Sequence, residues 1–107
     1  GLTQLIHVAD MHERKATMAA KADAFVALPG GIGTLEELFE SWTWQYLGLH
    51  DKPIAVLDTQ DFFAPLLTFL DSLVSQGFLD SRTRDALSSA PTPAALLDSL
   101  EQQLSPA

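Results

Sequence analysis

The sequence contains no cysteine, which excludes disulfides and thiolate metal sites and permits a cytoplasmic location, the expectation adopted for this chain. Positive charge is scarce too: six Lys and Arg stand against fourteen Asp and Glu, for a formal net charge of −8. Such a balance argues against nucleic-acid backbones and anionic membranes as partners. No apolar run approaches the roughly 20 residues of a membrane-spanning helix. No signal peptide, internal repeat or low-complexity tract is visible in these residues, and the chain opens on Gly1 rather than Met. Ser-His-Asp elbows, HExxH and EF-hand loops are all missing.

What remains is a globular composition, 47% hydrophobic in 107 residues, enough for one modest core. Leu5-Ile6-His7-Val8-Ala9 reads as a strand, and Asp10 to about Ala22 as an alanine-rich helix. Ala24-Phe25-Val26-Ala27-Leu28 is a continuous apolar run, the pattern of a strand buried on both faces. After the break Pro29-Gly30-Gly31-Ile32-Gly33, a helix is expected from Thr34 to about Leu47, with Leu35, Leu38, Phe39, Trp42 and Tyr46 at helical spacing and Gly48 at its end. Pro53 to Leu57 predicts a third strand, and Phe62 to Gln76 a third helix stopped by Gly77. Residues 80–87 form a candidate short helix, and Pro93 opens a last helix ending near Leu104.

Alternating strands and helices predict an α/β fold, a Rossmann-like parallel sheet with helices on both faces. Three strands are few for such a sheet, so the chain is expected to be N-terminally incomplete, residues 1–107 being the C-terminal part of a single domain. The alternative is a small independent flavodoxin-like domain.

Ligands of open α/β sheets bind beyond the carboxyl ends of the strands. Two segments leave such ends with unusual residues: Asp10 to Lys15, and Pro29 to Glu37. In the second, Gly30, Gly31 and Gly33 allow close approach to the backbone, and the helix start after them suits phosphate. It is neither a Rossmann fingerprint, since Glu36 stands at the third glycine, nor a Walker A loop. The bland alternative is a tight turn. Thr34-x-x-Glu37 reads first as a capping box. Its functional alternative is a carboxylate, from Glu37 or Glu36, stabilising an oxocarbenium-like sugar or orienting water. Arg14 and Lys15 oppose the macrodipole of their helix, which suits either an ion-paired face or an anion clamp. His7, His12 and His50 show no metal-ligand spacing and read as structural or surface residues, His12 being the exception to watch. Phe39, Trp42, Trp44 and Tyr46 read as core or subunit-contact residues.

Met11-His12-Glu13-Arg14-Lys15 resembles the M-H-x-R-K segment of the LONELY GUY family of nucleoside 5'-monophosphate phosphoribohydrolases, and Pro29 to Glu37 matches its P-G-G-x-G-T-x-E-E signature. Leu47 to Pro53 fits as well, and the resemblance runs over nearly the whole chain. It implies a Rossmann-like homodimer that hydrolyses the N-glycosidic bond of cytokinin riboside 5'-monophosphate or AMP, with no metal or organic cofactor. It further implies Arg14 and Glu37 as the catalytic pair. The nucleotide would be held by Arg14, Lys15, Gly30, Gly31, Ile32, Gly33, Thr34, Leu35, Glu36, Glu37 and Thr43. The family carries an earlier glycine-rich segment that supplies one wall of the site and precedes the point where Gly1 stands. Some members have been labelled lysine decarboxylases, but none of the three lysines here sits in a pyridoxal-phosphate setting. The alternative function is a nucleotide- or molybdenum-cofactor-binding carrier of the same superfamily.

Overall fold

A computed structural model describes residues 5–7, as backbone, and residues 22–104. Four strands form one parallel sheet: β1 (Leu5–His7), β2 (Ala24–Ala27), β3 (Ile54–Leu57) and β4 (Leu87–Ala90). They lie in chain order across it, β1-β2-β3-β4. The helices are α1 (Ile32–Tyr46), α2 (Ala64–Ser75), α3 (Ser81–Asp85) and α4 (Pro93–Leu104), with a 3-10 turn at Thr59–Asp61. The helix expected between β1 and β2 lies outside the described residues except for Ala22, which is buried and not helical.

Side chains alternate between the two faces of each strand, and this sorts the core. Phe25, Ala27, Ile54, Val56 and Leu87 meet Leu38 and Trp42 of α1, Phe63, and Leu70 of α2. Ala24, Val26, Ala55 and Ala90 point the other way and meet Leu96 and Leu100 of α4. Helices therefore cover both faces, as the continuous apolar run at β2 requires. Three of the four strand side chains against α4 are alanines, which lets that helix sit close.

The helix ends follow their chemistry. Gly48 and Gly77 adopt φ of +80° and +84° just past α1 and α2, the left-handed stop that glycine accepts without strain. Asp80 caps α3, its carboxylate accepting from Thr83 N at 2.8 Å and Thr83 Oγ1 at 2.9 Å. Those hydrogen bonds hold the Asp80 carboxyl below its ordinary range. Thr92 caps α4 through Ala95 N at 3.2 Å.

Three strands were expected and four are present. Leu87-Ser88-Ser89-Ala90 has no β-branched residue and one large apolar side chain, so nothing local marks it as a strand. Pairing with β3, from Ile54↔Leu87 to Leu57↔Ala90, makes it one. It also ends the short helix at Asp85, two residues before the expected limit.

Candidate active site

β2 is buried along its whole length and breaks at once into exposed Leu28, Pro29, Gly30 and Gly31. Helix α1 starts at Ile32, two residues before the expected position, with Gly31 as N-cap. Thr34 is thereby the third helical residue and Glu37 the sixth, so the expected capping box does not form. Among the described residues no side chain caps this end, and no acidic side chain stands in its first turn. The first backbone bond of the helix is Leu35 N to Gly31 O, 3.2 Å. The N–H groups of Ile32, Gly33 and Thr34 have no partner within the helix, as at every helix start, and lie at its positive dipole end.

The glycines differ. A Cβ on Gly30 would collide with Thr34 Oγ1 and lie 3.2 Å from Thr34 Cβ, so packing alone requires glycine there. At Gly31 and Gly33 a Cβ would meet nothing within 4 Å among the described residues. Neither has a positive φ. Their lack of a side chain leaves open space beside the free N–H groups.

On the inner side of α1, Thr34, Glu37 and Ser41 are 7%, 1% and 4% exposed. Spacings of three and four residues align them as one polar stripe along the helix. A carboxyl group at 1% exposure is costly to bury. Leu35 is half-buried, while Ile32 and Glu36 are exposed at the mouth. Thr43 is not brought to this cluster. Nine residues beyond Thr34, it lies about 180° round the helix and roughly 14 Å down its axis. There it lines a separate cleft of about 400 Å³ with Phe39, Trp42, Tyr46 and Phe78. Arg14, Lys15 and His12 lie outside the described residues. Sequence reasoning missed Ser41; its spacing from Thr34 and Glu37 was the available signal.

His50 occupies the opposite edge of the sheet, before β3. Its Nδ1 accepts from Lys52 N and its Nε2 donates to Ser41 O, both at 3.0 Å, and its ring packs 5.0 Å from that of Phe25. Burial lowers its pKa below 6.5, and the Lys52 charge acts in the same direction. It is a structural histidine. Lys52 reaches across the same edge to Ala22 O. Among the described residues, no three His, Asp or Glu side chains gather as a metal set, and no helix is long and apolar enough to cross a membrane.

The parallel sheet and the glycine turn beyond β2 define an α/β protein whose first long helix among the described residues starts at a glycine N-cap. Comparison with known proteins is more specific: the family described as "possible lysine decarboxylase" matches residues 1–100, and the chain belongs to that family. It is 52% identical over 95 residues to cytokinin riboside 5'-monophosphate phosphoribohydrolase LOG4 of Arabidopsis thaliana, covering 89% of this chain and 44% of that protein. Against LOG2 of the same plant it is 50% identical over 99 residues, 92% of this chain and 46% of the relative. Against the probable cytokinin riboside 5'-monophosphate phosphoribohydrolase LOGL2 of Oryza sativa subsp. japonica it is 50% identical over 95 residues, 89% and 39%. The chain thus spans less than half the length of these curated relatives.

Proposed function

We propose that this chain carries the catalytic part of a phosphoribohydrolase that cleaves nucleoside 5'-monophosphates to a free base and ribose 5-phosphate. The observation that carries it is a buried carboxylate, Glu37 at 1% exposure, just inside an uncapped helix start. The substrate's 5'-phosphate docks on the N–H groups of Ile32, Gly33 and Thr34, in the space that Gly31 and Gly33 leave open. Arg14 and Lys15 supply the positive charge that an acidic protein otherwise lacks there. Glu37 stabilises the developing ribosyl cation or orients the attacking water, a task for a carboxylate in a site shielded from bulk solvent. The relatives' names support a cytokinin riboside 5'-monophosphate as substrate, with AMP the simplest member of the class.

The protein works as a homodimer in the cytoplasm, where its substrate class is found. Thr43 faces away from its own glycine turn, so in that dimer it serves the nucleotide held by the second copy. The exposed Phe39, Tyr46 and Phe78 beside it offer apolar surface for the contact.

Lysine decarboxylation, suggested by the family's description, finds no support in the described residues. Lys52 binds Ala22 O at the amino edge of the sheet, opposite the glycine turn.

Incubation with AMP and with an isoprenylated AMP, followed by chromatography of the free base, tests the reading. Base release abolished by Glu37→Ala and Arg14→Ala is the expected result. Nucleotide binding without release would replace it with the carrier function.

A further inference from the structure

The β3–α2 loop holds its shape against local preference. Gln60 adopts φ 53° and ψ 35°, and Asp61 φ 59°. These are the described residues other than glycine with positive φ, and they are consecutive. Left-handed backbone at two successive side-chain-bearing residues is unfavourable, and glycine would relieve it. The loop is nonetheless tied down. Asp58 Oδ1 accepts from Phe63 N at 2.7 Å, and Asp58 N donates to Ala90 O at 2.8 Å. Below it, Phe62 and Phe63 pack edge to face at 4.9 Å.

Its position gives the strain a meaning. β2 and β3 are paired parallel neighbours, Ala27 opposite Val56, so their carboxyl ends lie side by side. Both strands feed helices on the same sheet face, since Leu38, Trp42 and Leu70 share one core cluster. The loop after β3 therefore runs alongside the glycine turn after β2, on the edge where ligands of such sheets bind. Gln60 is exposed there. Its amide makes no hydrogen bond within the described structure.

We propose that the β3–α2 loop is a wall of the nucleotide site and that Gln60 reads the edge of the substrate's base. The proposal rests on the nucleotide reading above. A primary amide offers a donor and an acceptor side by side, the complement of adenine's amino group and adjacent ring nitrogen. Retaining a glutamine where glycine would be unstrained is what a used side chain requires, and strain of this kind concentrates at ligand clamps.

Carbocyclic AMP, which cannot form the oxocarbenium and so is not cleaved, and ribose 5-phosphate, which has no base, are titrated calorimetrically into the purified protein and into Gln60→Gly. The variant keeps the backbone shape and is expected to melt no lower. Carbocyclic AMP should bind about tenfold more weakly, the loss of one or two hydrogen bonds, with ribose 5-phosphate unchanged. Unchanged affinity for carbocyclic AMP, or equal loss for both ligands, overturns the role of Gln60 and leaves the nucleotide reading standing. Wild-type protein that binds neither ligand overturns both.

Discussion

Burying a carboxyl group costs free energy that only compensating interactions recover, and α1 does it at Glu37 while leaving its own first N–H groups uncapped. A helix built for stability alone would do the reverse, with the acid at the dipole end and an apolar residue inside. Glu37→Gln keeps the shape and removes the charge. Base release should fall at least about a hundredfold, the scale of losing an electrostatic stabiliser, with circular dichroism confirming the fold; full turnover would remove Glu37 from the mechanism. Gly31 and Gly33 make a different prediction. Alanine at either should leave the unfolding free energy within about 1 kcal/mol of wild type, because nothing described lies within reach of the added carbon. Nucleotide affinity should drop sharply, and a variant that binds AMP normally would mean the open space is not used.

Between elements, His50 fastens the carbonyl of Ser41 in α1 to the turn before β3. Both bonds need a neutral ring, with Nδ1 accepting and Nε2 donating. Burial depresses the folded-state pKa below the ordinary 6.5. The fold therefore prefers the uncharged form, and the resulting stability is complete above about pH 6.5 and is lost as pH falls toward the folded pKa. Melting temperatures measured from pH 7.5 to 5 should decline, and His50→Gln should flatten part of that decline. An equal slope in the variant would assign it to other groups. Most elements were legible from local signals: the unbroken apolar run of β2, and the glycines that end α1 and α2. β4 was not, because Leu87-Ser88-Ser89-Ala90 becomes a strand only through its neighbour. The start of α1 was misplaced because capping rules assume that a helix satisfies its own donors. Thr34 and Glu37 were legible as a pair, while their burial, the better sign of function, belongs to packing.

Across the whole molecule, the glycine turn and Thr43 sit on opposite sides of one helix. If a homodimer joins them, each site takes Glu37 from one copy and Thr43 from the other. Mixing inactive Glu37→Gln with inactive Thr43→Arg should then restore base release, since each mixed dimer holds one site with both original residues. Activity that stays at zero, with mixed dimers demonstrated by mass spectrometry, would place both residues' work within one copy.

The fit between Gly30 and Thr34 carries over to how this sequence can change through time. Most of the space a Gly30 side chain would need is taken by the threonine hydroxyl, with Thr34 Cβ the next obstacle at 3.2 Å. Alanine at position 30 is therefore barred while threonine stands at 34 and much less so once 34 is smaller, so the two substitutions are not additive. A descendant can reach the double change by one order of steps and not by the other, and position 30 stays frozen for a reason that resides four residues away.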